Sequence, residues 1–261
     1  MKTILWILAA IVVVVAVYYH VSGSIYNVQQ GDLPETMTKD DIEVTPREHA
    51  SFIIRWGETI IYNDPVDATL FADKPAPHII LITDIHGDHL SVETLQTLGG
   101  DAPIIAPQAV IDLLPESLKS RALVLANGES LDVADIHIEA MPAYNLPDAE
   151  NADRHVKGRG NGYLLEKQDV RVYIAGDTAG IPEMRALTDI YMAFIPMNLP
   201  YTMGVEEAAD AVLAFKPKIV YPYHYRGPDG LADIVKFSEL VVAEKAGIQV
   251  MNMATWYPDL E

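Results

Sequence analysis

Cysteine is absent from all 261 residues. That excludes disulfides, thiolate metal ligands, a cysteine nucleophile and lipid attachment through sulfur. Any metal site must therefore be built from nitrogen and oxygen donors. A Gly-x-Ser-x-Gly elbow is also missing, which removes the usual signature of a serine hydrolase. Positive charge is scarce: 18 basic residues stand against 37 acidic ones, a net charge of −19. Such a surface repels phosphate backbones, so no nucleic-acid partner is expected, and the acidity itself favours solubility. The glycine-rich stretch 158–162 runs into a strand pattern rather than a lysine and a helix, so it is no nucleotide loop. No short-period repeat is present.

Half of the residues are apolar, enough for a sizeable core. One long apolar run occupies residues 4–19, preceded by Lys2 and followed by Asp32, Glu35, Asp40 and Asp41. It reads as an N-terminal hydrophobic helix, either a signal anchor or a cleaved signal peptide with small residues at Val21-Ser22-Gly23. The lone early lysine orients the rest of the chain outside the cytoplasm, in the periplasm or at the cell surface, with membrane contact if the helix is uncleaved. Residues 1–24 are accordingly set apart, residues 25–46 read as an acidic linker, and residues 47–261 as one folded domain.

Within that domain the pattern is mixed α/β. Residues 51–56 and 59–62 flank Gly57-Glu58 as a hairpin. Residues 79–83 form a short continuous apolar run, typical of a strand covered on both faces. Ser91 caps a short helix that stops at Gly99-Gly100, and a strand at Ile104-Ile105 leads into a helical segment over 108–114. The second half repeats the theme. Strands are expected over 122–126, 130–133 and 136–140, a hairpin over 162–166 and 170–175, and a strand over 190–196. A helix over 205–215 is stopped by Pro217, and a last central strand covers 219–225. Two similar halves imply two sheets flanked by helices.

The densest chemistry follows the 79–83 strand, in Asp84-Ile85-His86-Gly87-Asp88-His89. Four ionisable side chains in six residues at a strand end suit a metal, since imidazole and carboxylate bind zinc and also accept iron or manganese. Gly87 lets the chain bend between them.

This segment resembles the HxHxDH signature of the metallo-β-lactamase superfamily, with Asp84 where the first histidine usually stands. Ile60 to Pro65 resembles the preceding strand that ends in Asp-Pro. Ile174-Ala175-Gly176-Asp177-Thr178 is similar to the family's GDT segment, and Tyr221-Pro222-Tyr223-His224 to its final histidine strand. Met141-Pro142-Ala143-Tyr144-Asn145, His155-Val156-Lys157-Gly158 and Gly160-Asn161-Gly162-Tyr163 are similar to the ascorbate-6-phosphate-lactonase-like branch. The resemblance implies a four-layer αββα sandwich and two neighbouring metal positions. One would use Asp88, His89 and His224 with Asp177 bridging; the other His86, Asp84 and Asp177 with a residue from the loop after Pro142. Asn145 stands where many members of the family have a histidine. His155 is the expected replacement, and a loop histidine that touches substrate is the alternative.

The implied activity is hydrolysis of a small ester, lactone or phosphoester by metal-activated water, with one or two zinc ions, or manganese or iron(II). Asp88 would orient the nucleophile or carry a proton while ligating. The competing reading is a membrane-anchored metal-binding module, its site weakened at Asp84 and Asn145 and no longer catalytic. Asp64 is expected either to support the site by hydrogen bonding or simply to shape a turn. His49 is expected to be structural, with an approach to the pocket as the alternative, Tyr201 to line the substrate mouth, and Tyr221, Tyr223 and Tyr225 to lie in the core. Oligomeric state has no signal in the sequence.

Overall fold

The computed structural model describes residues 42–251 and 256–257. The expected N-terminal helix over 1–24 lies outside the described residues. Among those described, no helix is long and apolar enough to cross a membrane.

Two sheets carry the chain. The first has six strands in sequence order: β1 (Ile42–Glu48), β2 (Ser51–Trp56), β3 (Thr59–Asn63), β4 (Ile79–Leu81), β5 (Ile104–Ala106) and β6 (Ala122–Val124). The second contains β7 (Ser130–Val133), β8 (Ile136–Ala143), β9 (Gly160–Lys167), β10 (Val170–Ile174), β11 (Met192–Pro196), β12 (Ile219–Tyr223) and β15 (Gln249–Val250). Its spatial order is β15-β12-β11-β10-β9-β8-β7. A small hairpin, β13 (Arg226–Gly227) with β14 (Gly230–Leu231), stands apart.

Each sheet begins with antiparallel neighbours and continues with parallel ones. The change falls at β3/β4 in the first and at β10/β11 in the second. Parallel strands send their C-terminal ends to the same edge, so the loops after β3, β4, β10, β11 and β12 can meet there.

Alternation on β2 explains the layering. Ile53 faces outward with Ile60, Ile80, Ile82 and Ile104, in a cluster closed by Leu95 from helix Val92–Leu98, Val110 from helix Gln108–Ile111 and Leu118 from helix Glu116–Lys119. Phe52, on the other face of β2, stacks on Phe194 of β11 at 4.3 Å between ring centroids. Tyr163 of β9 donates its hydroxyl across the same interface to the carbonyls of Ile82 and Ile105, at 2.7 and 3.1 Å. On the far side of the second sheet Tyr173 meets Phe215 of helix Val205–Phe215. Helices therefore cover the outer faces and the aromatic core lies between the sheets.

Most expected elements appear where the pattern placed them. The 51–56/59–62 hairpin, the Ser91 cap with its stop at Gly99, and helix 205–215 all form. Three differences have physical causes. The folded unit starts inside the expected linker, because Ile42–Glu48 pairs antiparallel with β2 from Ile42↔Trp56 onward. Edge pairing satisfies that backbone, in which Ile42 and Val44 alternate with Glu43 and Thr45. The helix expected over 108–114 ends at Ile111 and gives way to turns before Pro115. The helix Ile234–Ala243 had no expectation attached to it; its buried side chains are only Phe237 and Val241.

The inter-sheet stack sets a stability prediction. Phe52→Ala removes a ring packed against Phe194, Tyr223 and Trp256. It should cost about 3–5 kcal/mol, read as a lower midpoint in urea denaturation.

Candidate metal centre

The four residues of the 84–89 segment enter the site because β4 ends at Leu81 and the chain turns immediately. Asp64, at the end of β3, fixes that turn. Its Oδ1 accepts from the Thr83 amide at 2.7 Å, and its Oδ2 accepts from Thr83 Oγ1 at 2.6 Å and from His89 Nδ1 at 2.9 Å. Asp64 and His89 are completely buried. With Nδ1 donating, His89 turns the Nε2 lone pair into the site. Of the two roles open to Asp64, the structure assigns the supporting one.

From the other sheet, Asp177 follows Gly176, whose φ of +67° leaves a Cβ no room: it would lie 2.5 Å from the Asn161 carbonyl oxygen. His224 follows β12 in the left-handed region at φ +48°, as do His49 at +55° and Asp64 at +43°. Non-glycine residues held there are uncommon, and their concentration at one site is what a geometrically demanding centre produces.

The side chains then converge. Asp177 Oδ1 lies 3.2 Å from His224 Nε2, while its Oδ2 lies 3.4 Å from His89 Nε2 and 3.1 Å from His155 Nε2. His86 Nδ1 sits 2.5 Å from Asp84 Oδ2, and His155 Nε2 3.9 Å from the same oxygen. Asp88 Oδ2 lies 3.5 Å from His224 Nε2 and 3.2 Å from His49 Nε2. Three groups result, each with its donor atoms within 4.8 Å of one another: Asp84-His86-His155, His89-Asp177-His224 and His49-Asp88-His224. All seven residues expected at the metal positions fall in this cluster, and Asp177 touches both ends of it.

His155, rather than Asn145, reaches the carboxylates. Its Nδ1 faces the Tyr201 carbonyl at 3.1 Å, which can only accept, so Nε2 keeps its lone pair. Asn145 instead fastens the loop. Its amide nitrogen donates to the carbonyls of Tyr201 at 2.7 Å and Asn151 at 2.9 Å, and its backbone amide donates to the His155 carbonyl at 2.8 Å.

A cation fits the charges. Both oxygens of Asp84, Oδ1 of Asp177 and Nε2 of His155 are buried and make no well-directed hydrogen bond, their contacts with His86, Arg159, His224 and one another being ion-pair contacts only, an arrangement that a cation among them would stabilise. Burial would push the Asp177 carboxyl up, but His224 and His89 beside it hold it well below the ordinary range. Asp88 and Asp84 behave alike. Burial opposes the charge on each, and contact with His49 and with His86, respectively, still leaves their carboxyls lowered. The carboxylates are thus in the ligand form. Burial alone would depress His89, yet Asp177 and Asp64 hold it well above the usual histidine value. A field that keeps a proton on a fully buried imidazole is a field suited to a metal ion.

A family model described as the beta-lactamase superfamily domain matches residues 43–224. The chain belongs to the metallo-β-lactamase superfamily. A protein of Pyrococcus furiosus named a metal-dependent hydrolase is 30% identical over 222 residues, covering 81% of this chain and 96% of its own length. Among solved structures, a protein of Parabacteroides distasonis described as a metal-dependent hydrolase is 38% identical with a TM-score of 0.71, covering 81% of this chain and 92% of its own. Igni18 of Ignicoccus hospitalis shares the fold at 22% identity and a TM-score of 0.68.

In this superfamily member, two contributors, Arg159 and Asn198, carried no expectation from the sequence, and a third, His49, carried two. His49 meets both of its expectations, bonding Tyr257 through Nδ1 at 2.8 Å and facing Asp88 through Nε2 at 3.2 Å. Its signal was position, immediately before the β2 strand. Arg159 places Nε 3.4 Å from Asp84 Oδ1. Asn198 lies 3.2 Å from His224 Nδ1 and is held by Thr202 at 2.5 Å. Neither lies in a ligand-like run, so only the fold reveals them. Tyr201 lines the cavity as expected, and Tyr221, Tyr223 and Tyr225 are buried.

Asp64→Asn keeps the shape but puts a donor where Thr83 and His89 need an acceptor. Metal affinity, measured by chelator competition, should fall about 10–100-fold while far-ultraviolet circular dichroism stays native.

Proposed function

We propose that this chain is a metal-dependent hydrolase holding one or two divalent ions, zinc by preference, and acting on a small ester, lactone or phosphoester. The observation that carries the reading is the joining of two three-residue donor groups through Asp177, with buried oxygens that lack a well-directed hydrogen bond pointing between them. Asp88, His89 and His224 with Asp177 would hold one ion, and Asp84, His86 and His155 with Asp177 the other. When bound, such an ion supplies Lewis acidity, lowering the pKa of water from about 15.7 to about 7 and polarising an oxygen under attack.

The protein's own groups do the rest. A cavity of about 320 Å³ opens over His86, Asp88, His155, Asp177, Asn198 and Tyr201, room for a small molecule. Asp88 is the partly open carboxylate of the set, 42% exposed, and faces that cavity. It is placed to take a proton from the attacking water and return it to the leaving oxygen. His49, backed by the Tyr257 hydroxyl, keeps its Oδ2 aimed. Asn198 and Tyr201 shape the walls.

The departures at positions 84 and 145 do not thin the donor set, since Asp84 and His155 together leave three side chains at the second group. This favours turnover over a metal-binding module without catalysis.

Elemental analysis of purified protein should give one to two equivalents of metal per chain, lost in the His86→Ala/Asp88→Ala double variant. Hydrolysis of a generic ester, lactone and phosphodiester panel with zinc or manganese should vanish with chelator and with His224→Ala. A well-folded preparation that holds no metal, or His224→Ala at full activity, would sink the assignment.

A further inference from the structure

Acids outnumber bases about twofold in this chain, so a cation that no protein group uses stands out. The eight arginines all lie in the described residues. Arg159, Arg171, Arg185 and Arg226 face carboxylates, and Arg47, Arg55 and Arg121 donate to backbone carbonyls. Arg154 differs. Among the described residues its guanidinium has no carboxylate or carbonyl partner, and its contact is the face of the Tyr201 ring, 5.5 Å from the centroid. The residue is exposed, directly precedes His155, and lines the same cavity as His86, Asp88 and Asp177.

Its placement is built rather than incidental. The Arg154 amide donates to the Asn151 carbonyl at 3.0 Å, and its own carbonyl accepts from Arg159. Asn151 is tied in turn to the carbonyls of Pro200 and Thr202, on either side of Tyr201, at 3.0 and 2.9 Å. Backbone and aromatic support both hold the guanidinium beside the cavity, while its donor edge is left for something from outside. A planar fork stacked on an aromatic ring is well arranged to receive a two-oxygen anion.

We propose that Arg154 binds a non-reacting anionic group, a carboxylate or a phosphate, on the substrate whose ester, lactone or phosphoester bond lies over the metal-binding residues. This rests on the hydrolase reading and narrows its substrate class to anionic molecules. The net charge of −19 does not oppose it at contact range. Screening at physiological salt limits distant charges to about 8 Å, so the nearest cation dominates.

Zinc-loaded full-length protein, its metal content checked by elemental analysis, is titrated by calorimetry with two probe classes. Acetate and propionate offer one anionic group; malonate, succinate, glutarate and phosphonoacetate offer two. At least one two-headed anion should bind about tenfold or more tighter than the one-headed anions, and Arg154→Gln should bring that ratio to about one. Metal content and acetate affinity should be unchanged in the variant. Whether the dicarboxylates or phosphonoacetate lose more identifies the second group. A metal-loaded wild type without the preference, or an Arg154→Gln protein that keeps it, overturns the role of Arg154 alone. A protein that takes up no metal and binds neither class overturns the hydrolase reading and this inference with it.

Discussion

Asp84, Asp88 and Asp177 aim their carboxylates into one small volume, and that concentration of negative charge must be met by positive charge. The rest of the site follows from this constraint. Like charges so close and so far from water cannot persist alone. Four histidines supply ring nitrogens, Arg159 leans on Asp84, and His49 leans on Asp88. Even so, buried oxygens of Asp84 and Asp177 remain without a well-directed hydrogen bond. The protein has assembled a cage whose electrostatics are completed by a cation.

Holding that cage needs rigidity, and the sandwich supplies it. Each donor group draws side chains from loops of both sheets, which are locked face to face by Phe52 on Phe194 and by the Tyr163 hydroxyl on two backbone carbonyls of the opposite sheet. A shift between the sheets would separate His89 from Asp177 and His224. Backbone conformations at His49, Asp64 and His224 show where the fold accepts local strain to aim side chains. The loop that carries His155 is pinned by Asn145 and Asn151 to the segment around Tyr201, so His155 and the cavity wall at Tyr201 are fixed together. Arg154 sits on that same loop, directly before His155, so an anion held by its guanidinium would be coupled to the placement of His155.

Much of this was legible in the residues. The run from Asp84 to His89 is dense in donors and follows an apolar strand, so its chemistry could be read without coordinates. Asp177 and His224 were reachable through their segments, and Ser91 announced its helix by local capping. Arg159 and Asn198 were not legible as contributors, because each is an isolated polar residue whose partner is far away in the chain. The strand at Ile42–Glu48 escaped for a related reason: its alternation of Ile42 and Val44 with Glu43 and Thr45 is short and interrupted by Pro46, and pairing with β2 completes it.

The sequence by itself determined the donor chemistry, nitrogen and oxygen without sulfur, and the strand ends that carry it, since both depend on local composition and periodicity. Tertiary structure alone decided which of Asn145 and His155 reaches the carboxylates, which turn aspartate orients His89, and which arginine, among the described residues, stands beside the cavity without a carboxylate or carbonyl partner. Those outcomes depend on distances between residues separated by many positions, and only the packing of one sheet against the other fixes such distances.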